Sequence, residues 1–179
     1  MNDYFIFSDA SFDPNSGRGV GATLIVTSDL LMQKEGALHF EIQTKRIDGE
    51  NIARLEFLSA IGALKEWKLK FQNRGHLEKT APVKITLIID CKAIENILQR
   101  RERLERDNFF SKKTSQPLAN ADLYREFFIL YDELLPEIVW VKGHSARQSR
   151  DRWQEVFSIV DKMARKRLRE ICAEKDPLG

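Results

Sequence analysis

The sequence predicts an α/β fold on a mixed sheet, three antiparallel strands followed by two parallel ones, flanked by helices. Three observations carry this expectation. Apolar runs of strand character dominate the opening of the chain, and two of them, residues 4–8 and 20–26, are joined by the turn cluster Asp13, Pro14, Asn15, Ser16 and Gly17. Segments of helical period then alternate with two further strand-like runs, the order expected of a mixed sheet. The first and fourth runs each finish in an aspartate, Asp9 and Asp90, at the strand ends where open α/β sheets gather functional groups.

Taken in order, residues 4–8 and 20–26 read as a hairpin, and residues 36–44, with their loose alternation, read as a third, half-exposed strand. Residues 51–70 switch to helical period, with Ile52, Leu55, Ala60, Ala63, Leu64 and Trp67 near one face. The run 83–89 is the most strand-like in the chain. A helix from Cys91 to about Arg100 follows, then a basic segment to Lys113 and a break containing Pro117. Residues 121–135 are amphipathic and stop at Pro136, residues 138–141 form a fifth strand, and a long basic helix runs from about Arg150.

At 179 residues the whole chain, 1–179, reads as one domain that needs neither disulfide nor structural metal. Cys91 and Cys172 have no zinc-type spacing, and no apolar stretch approaches the roughly 20 residues of a membrane span. A cytoplasmic protein without membrane attachment is therefore expected, and, with neither a heptad run nor an obvious dimer face, a monomer. The formal charge is only +2, from 29 Lys and Arg against 27 Asp and Glu, so composition alone does not announce a nucleic-acid binder. The distribution says more: residues 99–113 hold six basic and three acidic side chains, and residues 142–170 hold nine and four.

Four acids interrupt apolar patterns where a lone carboxylate is costly. Asp9 and Asp90 end strands, whereas Glu56 and Asp161 sit in apolar stripes, Glu56 between Ile52 and Ala60, Asp161 between Phe157 and Ala164. Any one of them could reach water or pair with Arg54 or Arg165. Four together call for a shared cation, and a pair of divalent ions, Mg²⁺ or Mn²⁺, suits carboxylate oxygens and phosphodiester chemistry.

The motifs around these acids resemble the ribonuclease H type 1 family, within the ribonuclease H-like fold. IFSDASFDPNSGRGVGATLI is similar to the family's first hairpin, NIARLEFLSAIGALKEW to its helix with Arg-hydrophobic-Glu, and ITLIIDCKAIENIL to its strand with Asp before a helix. LANADLYREFFILYDELLPEIVWVKGHSARQ resembles the stretch leading into Val-Lys-Gly-His, and VDKMARKRL the helix with the last Asp. The resemblance implies a metal-dependent endonuclease that hydrolyses the RNA strand of RNA–DNA hybrids, with Asp9, Glu56, Asp90 and Asp161 as metal ligands for two Mg²⁺. His144 matches the family's mobile-loop histidine, associated with proton handling or product release. Nucleic-acid contacts are implied for Ser11, Asn51, Cys91, Asn120, Lys142 and Arg147. Arg101, Lys112 and Lys113 occupy the place of its basic protrusion.

The chain departs from the family in three places. Cys91 stands where Ser or Thr is usual, and Ile52 and Ala53 replace a paired Asn, which thins polar readout of the substrate. From His144 to Asp161 the chain advances 17 residues. That is about seven more than the family spacing, or roughly 10 Å and almost two turns of added helix, so Asp161 keeps its facing. Other readings therefore stand beside the first: a nuclease of the same superfold acting on duplex RNA or a DNA junction, or a weakly active nucleic-acid-binding module.

Overall fold

The computed structural model describes residues 3–72, 83–143 and 150–174. Strands β1 (Asp3–Asp13) and β2 (Arg18–Thr27) form the expected hairpin, each longer than its apolar run. The turn is built by Asp13, whose carboxylate accepts from the Asn15 and Ser16 backbone amides and, at 2.6 Å, from the Ser16 hydroxyl. Gly17 closes it at φ +68°, a conformation glycine adopts without steric penalty.

Two short helices, α1 (Ser28–Leu31) and α2 (Glu35–Glu41), come next, and strand β3 is confined to Gln43–Arg46. The third strand expected over residues 36–44 is thus mostly helix. Only Leu38 of α2 is buried, while Phe40 is 91% exposed, so the apparent alternation did not correspond to an inward and an outward face.

Helix α3 (Ile52–Trp67) is capped by Asn51, which accepts from the Arg54 amide, and is followed by a π-helical turn, Lys68–Gln72. Strand β4 (Lys84–Ile89) leads into a broken helical stretch: α4 (Lys92–Glu95), a 3₁₀ turn (Leu98–Arg100) and α5 (Arg101–Arg106). The single helix expected from Cys91 to Arg100 is interrupted after Glu95; buried Ile94 and Ile97 both pack into the core across the break. Helix α6 (Ala121–Leu134) ends at left-handed Leu135, before Pro136. Strand β5 (Glu137–Trp140) and helix α7 (Arg152–Ala173) complete the fold.

The five strands lie in the order β3-β2-β1-β4-β5, with β1, β2 and β3 antiparallel and β1, β4 and β5 parallel. Alternate residues of the central strands face opposite layers. Ile6, Leu87 and Ile89 pack with Phe57, Leu64 and Phe127 of α3 and α6. Phe7, Leu24 and Ile88 pack with Val156 and Val160 of α7 and with Leu31 and Leu38 of α1 and α2. Burying both faces fixes the register, since a one-residue slip would exchange the two cores. Among the described residues no helix is long and apolar enough to cross a membrane.

Candidate active site

Three of the four expected acids converge where β1 and β4 part. The last β1–β4 pair joins Phe7 to Ile88, so Asp9 lies two residues beyond it and Asp90 directly follows β4. Glu56, on the sheet-facing side of α3, reaches the same place. One carboxylate oxygen from each of Asp9, Glu56 and Asp90 lies within 4.8 Å of the others.

Burial makes this convergence costly. Asp9 is 4% and Glu56 8% exposed, and Oδ2 of Asp9 is buried with no hydrogen-bond partner among the described residues. Desolvation, followed by repulsion from Asp90 and Asp161, holds Asp9 well above the ordinary carboxylate range. Desolvation, then the charges of Asp9 and Asp90, pushes Glu56 up to about 9, against the opposing Ala10 backbone hydrogen bond. These acids are poor partners for each other and good ones for a cation: the orphaned oxygen and the all-carboxylate donor set fit a hard divalent ion.

Asp161 approaches from α7. Its helix stripe is buried at Phe157, Ala164 and Leu168, and its charge raises the affinity of both Asp9 and Glu56 for protons. Its Oδ1 is bridged at 2.7 Å by Nε of Arg165, four residues on. A cleft of about 30 Å³ separates it from Asp90 and is lined also by Lys142, Gly143, Arg150, Gln154 and Ser158. A larger groove of about 400 Å³ lies between β2, β3 and α3, but its carboxylates Glu66 and Glu126 are paired with Lys70 and Lys65.

The acids are held by neighbours whose roles were not read from the sequence. Ser59, one turn after Glu56, donates at 2.9 Å to the Asp9 carbonyl and accepts at 2.9 Å from the Ser8 hydroxyl. A serine inside an otherwise apolar helix face was the available signal. Trp140 Nε1 donates at 2.9 Å to the Asp90 carbonyl, and the Lys92 ammonium stands 3.5 Å from the Trp140 ring centroid. Arg54 of the Arg-hydrophobic-Glu motif turns away from Glu56 and forms a two-pronged pair with Asp122 at 3.0 and 2.6 Å, tying α3 to α6.

The expected nucleic-acid contacts scatter more widely. Ser11 is half-buried on β1, Asn51 caps α3, and Cys91 precedes α4, its thiol pushed up by burial. Asn120 is only 9% exposed and its Oδ1 accepts from Arg54, so its side chain serves the α3–α6 junction instead of an outer surface. Arg101 grips Asp132 with both terminal nitrogens and Glu105 with Nε, which commits its fork to intramolecular partners. Lys112 stands 3.5 Å from Asp107, Lys113 is exposed, and Lys142 is exposed at the cleft. His144 and Arg147 lie outside the described residues.

No curated protein matches the chain. Among solved structures, LC9-RNase H1, described as a type 1 RNase H with the type 2 active-site motif, superposes with a TM-score of 0.63 at 14% identity, covering 95% of this chain and 74% of that one. The PFV RNase H domain gives a TM-score of 0.63 at 14% identity, covering 94% of each. LC11-RNase H1, isolated from compost by a metagenomic approach, gives 0.60 at 12% identity over 97% of this chain and 100% of that one, and has also been solved in complex with RNA/DNA hybrid. At such identities the likeness establishes the fold. A family model described as RNase H matches residues 1–168, and with nearly the whole chain spanned, the protein belongs to the RNase H family of ribonucleases.

Proposed function

We propose that this ribonuclease hydrolyses the RNA strand of RNA–DNA hybrids with two divalent ions, Mg²⁺ or Mn²⁺, held by Asp9, Glu56, Asp90 and Asp161. The observation that carries this reading is the approach of Asp9, Glu56 and Asp90 to within 4.8 Å, with a buried Asp9 oxygen that has no hydrogen-bond partner among the described residues. The complex of LC11-RNase H1 with hybrid supports the substrate, and the family match supports the reaction class.

When bound, the ions would neutralise the clustered charge and supply the electrophilic assistance that phosphodiester hydrolysis needs. The chain's own residues set the stage for that chemistry. Ser59 and Trp140 fix the backbone at Asp9, inside β1, and at Asp90, directly after β4, so both carboxylates sit on a held backbone. In the reaction a water oxygen bonds to phosphorus and releases a proton to solvent, the bond to the 3′ oxygen breaks, and the departing oxygen takes a proton. His144 is assigned that proton transfer, because an imidazole titrates near neutrality. Discrimination for RNA would rest on the 2′-OH and groove shape. With Cys91 and the Ile52–Ala53 pair in place of more polar residues, backbone and shape contacts carry more of the binding.

The test is a side-by-side assay of labelled RNA–DNA hybrid, duplex RNA and single-stranded RNA with Mg²⁺, Mn²⁺ or EDTA. Cleavage of the hybrid's RNA strand with either metal, abolished by EDTA, is expected. Preference for duplex RNA would assign the fold to another substrate, and binding without cleavage would make it a recognition module.

A further inference from the structure

The start of α7 reaches past what Asp161 requires. The helix begins at Arg152, nine residues earlier, and its first turn is closed by a capping box in which Asp151 accepts from the Gln154 amide at 2.8 Å while Gln154 Oε1 accepts from Asp151 N at 3.2 Å. Arg152 anchors this end to α1, with Nε and a terminal nitrogen donating to the Leu31 carbonyl at 2.9 and 2.8 Å and a further bond to the Gln33 carbonyl. Trp153 packs on Phe5 of β1 at 6.0 Å between ring centroids. The added turns are a fixed wall.

That wall places a cation in the acid cleft. Arg150 folds back along α7, donates to Ser158 Oγ at 2.7 Å, and lines the same cleft as Asp90 and Asp161. Ser158 lies one turn before Asp161, so the serine that orients the guanidinium and the acid share one side of the helix. The cleft measures about 30 Å³, enough for a water or one phosphate oxygen and far too small for a base. A planar guanidinium suits a phosphate in such a place, since its fork matches two oxygens.

We infer that Arg150, which directly precedes the Asp151 cap of α7 and is oriented by Ser158 of that helix, contacts a backbone phosphate of the cleaved strand beside the acid cluster. The inference rests on the acid cluster being a phosphodiesterase site, though not on which nucleic acid it cuts. Contacts of this kind position the strand and carry no sequence information. In a protein whose polar readout is thinned at Ile52, Ala53 and Cys91, this contact makes up part of the loss.

The experiment measures kcat and KM of wild type, Arg150→Ala, Arg150→Lys and Ser158→Ala on whichever of hybrid, duplex RNA or single-stranded RNA the wild type cleaves. Affinity against salt is measured in parallel in the Asp90→Asn background. Arg150→Ala is expected to raise KM about tenfold with kcat changed far less, and to flatten the log–log salt slope by about 1. Arg150→Lys should restore the slope but only part of KM, and Ser158→Ala should raise KM modestly with the slope intact. An unchanged KM and slope in Arg150→Ala overturns the inference, as does a fall in kcat alone, which would mark Arg150 as a neutraliser of the acids. If duplex RNA is cut in place of hybrid, the substrate reading fails while the Arg150 test proceeds on that substrate. If nothing is cut, both fail.

Discussion

A Cβ built on Gly143 would lie 2.5 Å from Oδ2 of Asp90. The glycine that follows β5 therefore keeps room for the carboxylate, and it does so by lacking a side chain, since its φ is not in the left-handed region. Gly143→Ala should displace Asp90 by a few tenths of an ångström to about 1 Å and lower kcat by roughly tenfold to a hundredfold. Steady-state kinetics and a thermal melt check this: activity should fall while the melting temperature barely moves.

Gly62 offers the contrasting case. It is exposed within α3 and an added Cβ meets none of the described residues within 4 Å. Gly62→Ala should stabilise the protein by about 0.5–1 kcal/mol, because alanine has less backbone entropy to lose in a helix. Urea unfolding would measure it, with activity unchanged.

The buried acids also give the metal-free protein a particular pH dependence. Glu56 is pushed up to about 9 from an ordinary value of 4.5, so between those values the folded state binds a proton that the unfolded chain has released. Stability in EDTA should therefore fall as pH rises across this window, and Asp9, shifted in the same direction, adds to the trend. Glu56→Gln should flatten the profile and raise the melting temperature at pH 8. Added Mg²⁺ should stabilise the wild type more at pH 8 than at pH 6, as ionised carboxylates are the better ligands.

Ser59 is buried and bridges the Ser8 hydroxyl to the Asp9 carbonyl. Ser59→Ala leaves the Ser8 hydroxyl without that partner and should cost about 1–3 kcal/mol, read from urea unfolding. A drop in kcat should accompany it, since the strand carrying Asp9 loses a tether.

Much of this site was legible because burial imposes periodicity. Asp161 falls in a stripe with Phe157, Ala164 and Leu168, all buried, and the apolar runs ending at Asp9 and Asp90 are adjacent parallel strands. The sequence was less informative where few residues are buried. In α2 a single core residue, Leu38, could not distinguish helix from strand, and Ile52, read as core, is 44% exposed at the first turn of α3. Long-range partners left no local trace: nothing near Arg101 announces Asp132, and nothing near Asn120 announces Arg54. Composition marked residues 99–113 as basic, whereas the fold determines which of those charges are already paired.

Asp90 belongs both to the acid trio and to the cleft with Asp161, so one substitution there reaches both halves of the metal site at once. The measurement is single-turnover cleavage of a labelled RNA–DNA hybrid in Mg²⁺ by wild type and Asp90→Asn, with hybrid binding measured in parallel. The wild type is expected to cut the RNA strand, and Asp90→Asn to bind the hybrid but cleave it roughly 10³-fold more slowly or worse. Cleavage by Asp90→Asn at the wild-type rate would contradict a metal-ligand role for Asp90.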